Sequence, residues 1–194
     1  MIKILWYVIG ILLIIIGTLC LGFNVVNYID TNKKPHDISS LSSDKLESGI
    51  IVEGDITYNA GLYASSESES DVIHMDYIIP AGNGYIGFHA KSNDLKDALA
   101  DQLENGNSQI KVHIKGKVRK FVLQEEVDSL NAFIKEKGIS DCSTVYFVDE
   151  ITKLPEWTLV FGSFCLALGI FWVILTKKTA KKEEVVNQFG IPVK

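Results

Sequence analysis

Two long stretches of the sequence contain no charged residue, one from Ile4 to Ile29 and the other from Trp157 to Thr176. Each is long enough to cross the roughly 30 Å hydrocarbon core of a bilayer, which takes about 20 helical residues. The alternatives are a buried core helix of a soluble protein and, for the first stretch, a removable signal peptide. No small-residue cleavage site follows the first stretch, so we interpret it as an uncleaved anchor. The sequence therefore predicts transmembrane helices at residues 1–23 and 155–176.

The distribution of charge predicts how these helices are oriented. Short basic flanks stay in the cytoplasm, whereas long loops cross the membrane largely regardless of charge. Residues 24–156 carry 13 basic and 22 acidic side chains, a net charge of −9. The basic tail at residues 177–194 instead opens with four lysines within six residues, namely Lys177, Lys178, Lys181 and Lys182. We therefore expect a multi-pass protein of the cell membrane with both termini in the cytoplasm and the central domain outside it.

Between the two helices the sequence predicts a polar linker at residues 24–48 and a folded domain at residues 49–154. The linker is rich in Ser, Asp and Lys, and a Ser/Glu run at residues 65–71 is typical of a solvated loop. Alternating apolar and polar residues predict strands, and apolar residues at helical spacing predict helices. The predicted order is β-β-β-α-β-α-β, with strands at 50–58, 72–79, 84–90, 109–122 and 144–151. The two helices begin near Ser92 and Glu125 and end before Gly106 and Gly138.

This order, with a glycine bend predicted at Gly54 in the first strand, indicates an α+β fold built on a small OB-like β-barrel. Such barrels pair their first strand with their fourth. The outward positions of the first strand are acidic, at Glu53 and Asp55, and those of the fourth are basic, a row that we call the basic row. Opposite charges on paired strands stabilise each other, so the pairing is plausible on charge alone. The basic row consists of Lys111, His113, Lys115, Lys117 and Arg119.

Two short segments carry a resemblance to a known family. The segment Ile51-Val52-Glu53-Gly54-Asp55-Ile56, the later Ile114-Lys115-Gly116-Lys117-Val118 and the flanking helices resemble an uncharacterised family of two-helix membrane proteins of Gram-positive bacteria. Lysine outnumbers arginine 18 to 1, a bias typical of AT-rich bacterial genomes. The resemblance implies an extracytoplasmic OB-like domain, and it implies no activity and no catalytic residues.

The sequence contains no catalytic or cofactor signature, so we predict neither an enzyme nor a cofactor nor a metal site. The four histidines lack the short spacings of zinc sites, although His74, Asp76 and His89 fall on neighbouring strands and can meet. The basic row is a candidate site for anionic lipids or wall polymers, and the alternative is a solvated face paired with Glu53 and Asp55. Nucleic acid is not expected as a partner, because the domain is predicted to lie outside the cell.

Glycines in the two apolar stretches predict how the helices meet. Gly10 and Gly17 are seven residues apart, as are Gly162 and Gly169, so each pair lies on one side of its helix. Measured from the cytoplasmic ends, Gly10 matches Gly169 in depth and Gly17 matches Gly162. Because lipid offers no hydrophobic drive for association, close approach at small residues is what holds such helices together. We therefore predict helix–helix contact at these four glycines.

These observations predict a non-enzymatic module that is anchored in the lipid bilayer and acts by binding or assembly at the cell surface. Neither apolar stretch contains an ionisable residue, and such residues mark ion routes, so transport by a monomer is disfavoured. The alternative is an accessory or sensor subunit that contacts another membrane protein through its helices. A surface hydrolase is a more distant alternative.

Overall fold

The computed structural model describes residues 2–41, 46–68, 71–104 and 110–188. The chain divides into two compact units, one formed by Met1–Ile29 with Lys153–Lys194 and the other by Asp30–Thr152. The first unit consists of most of helix α1 (Ile2–Asn32) and of helix α4 (Glu156–Gln188). Two segments of these helices, Ile4–Asn32 and Glu156–Thr179, are long and apolar enough to cross a membrane.

The second unit is a mixed α+β domain built on one seven-stranded sheet. Its elements, in chain order, are β1 (His36–Asp37), β2 (Ile51–Ile56), β3 (Gly61–Ser68), β4 (Asp71–Ala81), β5 (Gly84–Ala90), α2 (Asn93–Glu104), β6 (Val112–Lys120), α3 (Gln124–Lys137) and β7 (Cys142–Glu150). The strand order in the sheet is β1-β2-β6-β7-β5-β4-β3. The pairs β1–β2 and β5–β7 are parallel, and the others are antiparallel.

The main hydrophobic core lies on one face of this sheet. Alternating residues of the central strands point into it, including Phe88 of β5 and Val148 of β7. Helix α2 contributes Leu99, which is fully buried because the apolar residues of α2 recur at helical spacing. Helix α3 packs instead with β3 and β7 and buries Leu130. This helix ends at Gly138, whose φ of 64° suits the left-handed C-terminal cap.

The predicted pairing of the first strand with the basic strand is present in the sheet. Strand β2 pairs antiparallel with β6, so that Glu53 lies opposite Lys115 and Asp55 lies opposite His113. The sheet is nevertheless open, since no pairing among the described strands joins β1 to β3. The mixed α+β class is therefore confirmed, and the closed OB-like barrel stays a prediction.

Several expectations for the polar segments were wrong. Residues 65–68 belong to β3, although their composition indicated a loop, because an edge strand needs only one paired side and tolerates polar residues on both faces. Residues 69 and 70 of that predicted loop lie outside the described part. The predicted linker at 24–48 is helical as far as Asn32, and it contributes the buried residues Ile38 and Leu41 to the core.

Gly54 forms no β-bulge, because β2 pairs with β6 in unbroken register from Ile51 to Ile56. A Cβ at this position would lie 2.8 Å from Cγ2 of Ile38. The glycine thus makes room for Ile38, which packs over the strand. The predicted linker at residues 24–48 therefore contains the residue, Ile38, whose close packing requires a glycine at position 54 of β2.

Candidate functional site

The face of the sheet opposite the main core, which we call the outer face, carries a row of charged side chains across four strands. The register places Asp76 of β4 beside His89 of β5, His89 beside Asp149 of β7, and Asp149 beside Lys117 of β6. Because successive side chains of a strand alternate between the two faces, these four point away from the core that Phe88 and its neighbours form. The row brings together residues of the β4–β5 hairpin and residues of β6 and β7, which come later in the sequence.

His74, Asp76 and His89 form a compact cluster at one end of this row. His89 Nδ1 lies 2.9 Å from Asp76 Oδ1, and His74 Nε2 lies 3.5 Å from Asp76 Oδ2. The two imidazole rings stack with their centroids 3.8 Å apart. One ligand atom from each of the three residues lies within 4.8 Å of the other two. We call this group the His-Asp-His cluster.

The carboxylate of Asp76 is buried, since the residue is only 5% exposed. Its Oδ1 atom lies 2.9 Å from His89 Nδ1 as an ion-pair contact and accepts no hydrogen bond from the described residues. Burial lowers the pKa of His74, and a positive charge on His89 lowers it further, against the opposing effect of Asp76. The pKa of His74 thus favours the neutral imidazole, which is the form that binds metals.

Two further ionisable groups interact with the His-Asp-His cluster. Burial raises the pKa of Glu126, in the first turn of α3, and the negative charge of Asp76 raises it further, while His89 lowers it. Burial also raises the pKa of Tyr63 on β3, and Asp76 adds to that effect. Asp76, which is buried, and Glu126, which is half-buried, are therefore within electrostatic reach of each other.

The next carboxylate in the row, Asp149, is neutralised by two cations. Lys91 Nζ lies 2.5 Å from its Oδ1 atom, and Arg119 Nε lies 2.7 Å from its Oδ2 atom. Asp149 is itself buried, so these pairs compensate a carboxylate that would otherwise be costly to withdraw from water. Sequence reasoning missed this group, because the parallel pairing of β5 with β7 that assembles it leaves no local signal.

The basic row is paired with carboxylates along most of its length. Lys115 Nζ lies 2.9 Å from Glu53 Oε2, His113 Nδ1 lies 2.7 Å from Asp55 Oδ1, and Lys117 Nζ lies 2.6 Å from Asp30 Oδ2. The Lys115 ammonium lowers the pKa of Glu53, chiefly through its hydrogen bond. Arg119 pairs with Asp149 as described above. These pairs favour the interpretation of the row as a solvated face with its own counter-charges.

Lys111, His113 and Lys115 also line a shallow groove of about 380 Å³. The groove contains acidic groups as well, at Asp94 and Glu150. Glu150 accepts hydrogen bonds from the backbone N–H groups of Lys91 and Ser92, at 2.5 and 2.8 Å, and from the Ser92 hydroxyl at 2.5 Å. Because these donors precede the first residue of α2, the carboxylate caps that helix. The mixed charge makes the groove a poor site for an anion.

A larger cavity of about 530 Å³ lies at the ends of β5 and β7 and is lined in part by Leu41, Tyr85 and Cys142. Burial raises the pKa of the Cys142 thiol to about 11, so the thiol is protonated at neutral pH and is a poor nucleophile. Cys142 therefore does not supply this cavity with a reactive thiolate at neutral pH.

In the first unit, the structure brings together both predicted glycine pairs. A Cβ built on Gly169 would lie 2.7 Å from the carbonyl oxygen of Gly10, and one built on Gly17 would lie 2.8 Å from that of Gly162. Any larger residue at these positions would push the helices apart. The rings of Trp6 and Trp172 also meet, with centroids 5.0 Å apart.

No protein-family model matches the chain, and no curated protein or solved structure matches it. The resemblance of the segments around Gly54 and Gly116 to a two-helix bacterial family therefore stays a prediction.

Proposed function

We propose that this chain is a membrane-anchored, non-enzymatic module that acts by binding or assembly at the cell surface. The observation that carries the proposal is the division of the chain into a unit of two long apolar helices and a separately packed α+β domain inserted between them. Such an arrangement tethers a folded domain to a bilayer through both ends of its chain segment.

The exposure of the two helices supports the membrane anchor. Only 11% of the apolar window of α1 and 17% of that of α4 are buried. The core helix of a soluble protein would be mostly covered by the rest of the chain, whereas a membrane helix leaves its apolar surface to the lipid. The lysines that follow Thr176 favour a cytoplasmic position for both termini and an external position for the domain.

The strand pairing supports an OB-like domain. An OB barrel pairs its first strand with the fourth, and here β2 pairs with the basic strand β6.

The carboxylate partners of the basic row leave few free cations for an anionic polymer. A contact with another membrane protein, made by the lipid-facing sides of the helices or by the domain, is therefore the favoured form of binding.

Membrane fractionation and cysteine labelling test the proposal. The protein should stay in the membrane pellet after alkaline carbonate extraction. A Ser66→Cys variant in a background with Cys20, Cys142 and Cys165 replaced by serine should react with an impermeant maleimide in intact cells. Matched labelling of a Thr179→Cys variant should require lysis, because Thr179 follows the second apolar stretch. Release of the protein by carbonate would contradict the membrane anchor. Labelling of position 66 only after lysis would contradict the proposed orientation.

The same preparation separates the two forms of assembly. If the chain is an accessory subunit, a second membrane protein should co-purify in fixed stoichiometry after crosslinking in native membranes. If it acts alone, the chain should be recovered by itself or with copies of itself. Turnover of a wall or lipid substrate by the purified protein would contradict the non-enzymatic role.

A further inference from the structure

The His-Asp-His cluster has the composition of a transition-metal site. It offers two imidazole nitrogens and one carboxylate oxygen, and zinc sites that keep an open position are built from three protein ligands of this kind. Calcium and magnesium instead prefer oxygen ligands, whereas two of the three donors in this cluster are imidazole nitrogens. The donor set therefore selects an ion of intermediate softness.

The geometry of the strands fixes these donors close to their required positions. His74 and Asp76 are two residues apart on β4, so they share a face, and His89 lies directly opposite Asp76 on β5. Bonds of about 2.1 Å at tetrahedral angles place ligand atoms about 3.4 Å from one another. The present separations reach no further than 4.8 Å. Binding of an ion would therefore draw the donor atoms together by at most about 1.4 Å.

The charge of the cluster also matches a divalent cation. Asp76 is buried with an oxygen atom that accepts no hydrogen bond from any described residue, and burying such a group is costly. Glu126 adds a second acidic group nearby. The cations Lys91 and Arg119 are both engaged with Asp149. Asp76 is thus a buried carboxylate whose printed ion-pair partners are both imidazoles, and a divalent ion bound between the three side chains would compensate its charge.

We propose that His74, Asp76 and His89 bind one divalent transition-metal ion of the Zn²⁺ class, with water or an exogenous ligand in the remaining coordination positions. An ordinary histidine–carboxylate ion pair is the competing explanation. It accounts for the contacts of Asp76 with His89 and His74, at 2.9 and 3.5 Å, without a metal ion, whereas a metal ion would bring all three donor atoms to one point. Only the metal site would take up added metal in a fixed stoichiometry, so a metal titration distinguishes the two explanations.

The test uses the full-length protein in detergent, without a histidine tag and after treatment with a chelator. Titration with Co²⁺, followed by its visible absorption, should reach one ion per chain, and Zn²⁺ should displace it. His89→Gln, His74→Gln and Asp76→Asn should each weaken binding by about 100-fold or more, because even residues that only support a metal ligand commonly contribute 10–100-fold. Chelation should lower the thermal midpoint of the wild-type domain and leave that of His89→Gln unchanged.

His113→Gln is the matched control. His113 also contacts two carboxylates on the outer face, with Nδ1 2.7 Å from Asp55 and Nε2 3.4 Å from Glu53, but it has no second imidazole beside it. This variant should bind Co²⁺ as the wild type does. If Asp76→Asn fails to fold, the two histidine variants decide the question, since both side chains are partly exposed.

Three results would overturn the proposal. The first is the absence of stoichiometric Co²⁺ or Zn²⁺ binding by the folded wild-type protein at millimolar metal. The second is binding that survives unchanged in folded His89→Gln and His74→Gln. The third is binding that His113→Gln abolishes. None of these results depends on the orientation of the protein in the membrane, so the metal site and the proposed anchor fail or succeed separately.

Discussion

Replacing Gly17 with alanine adds a methyl group where α1 and α4 are in contact. The new Cβ would lie 2.6 Å from the backbone nitrogen of Leu166, 2.8 Å from the carbonyl oxygen of Gly162 and 2.9 Å from the Cα of Leu166. Non-bonded heavy atoms are at their optimal separation at about 3.5–4.0 Å. All three neighbours are backbone atoms, which no side-chain rotation can move. The helices must therefore separate locally by close to 1 Å.

Gly22 provides the matched control on the same helix. A Cβ at that position has no heavy atom within 4 Å. Both substitutions gain the same helix propensity, about 0.8–1.0 kcal/mol in water, so this term cancels when they are compared. Inserting a methyl group into a close-packed contact typically costs about 1–3 kcal/mol. We therefore expect Gly17→Ala to be less stable than Gly22→Ala by about 1–3 kcal/mol, with Gly22→Ala equal to or slightly above the wild type.

The pair of Trp6 and Trp172 supplies a signal for this measurement. One ring belongs to each helix, so their mutual quenching and near-ultraviolet circular dichroism report helix separation. Trp157→Phe removes the third tryptophan of the chain as background. The helix pair is titrated with sodium dodecyl sulfate in mild-detergent micelles, and the midpoints of the variants are compared. Equal midpoints for Gly17→Ala and Gly22→Ala would refute the close-contact reasoning.

In a separate check, cysteines at positions 10 and 169 should crosslink within one molecule rather than between molecules.

Two further predictions concern the α+β domain. Glu150→Ala removes three hydrogen bonds to a charged acceptor at the start of α2. In a urea titration it should lower the free energy of unfolding by about 2–4 kcal/mol. Ser92→Ala removes only one of these hydrogen bonds and should lower the free energy of unfolding by about 1 kcal/mol. Equal effects of the two variants would show that the carboxylate does not cap the helix. Because the Cys142 thiol has its pKa raised to about 11, its alkylation by N-ethylmaleimide should accelerate about tenfold per pH unit up to that value in a variant with Cys20 and Cys165 replaced by serine. A rate that levels off near pH 9 would contradict the effect of burial.

Local periodicity predicted the strands and helices whose apolar residues recur regularly. It placed β2, β4, β5, β6 and β7 and both helices of the domain, and charge complementarity added the pairing of Glu53 with Lys115. It missed β3, because the second half of that strand, Ser65–Ser68, has no apolar residue and is held by backbone pairing with β4. It missed the role of Ile38 for a similar reason, since one apolar residue in a polar segment carries no period.

The His-Asp-His cluster was within reach of sequence reasoning because a hairpin assembles it. The turn that pairs Ala81 with Gly84 places residues at equal distances from it opposite each other, and this register brings Asp76 to His89. The ion pairs of Asp149 and the cap formed by Glu150 were out of reach. Both depend on the parallel pairing of β5 with β7, which joins residues about 60 positions apart and leaves no local trace.

The carboxylates of the outer face differ in the kind of partner that balances them. Glu53 faces Lys115, and Asp149 faces Lys91 and Arg119, so both have partners that keep their charge throughout the physiological range. Among the described residues, Asp76 makes its ion pairs only with imidazoles, and the pKa of His74 is lowered towards the neutral form. Of the two carboxylates in the row, Asp76 and Asp149, Asp76 is therefore the one that the proposed metal ion would compensate. A fixed lysine in place of His89 would compensate Asp76 without a metal ion, and we expect His89→Lys to abolish Co²⁺ binding while it preserves the fold.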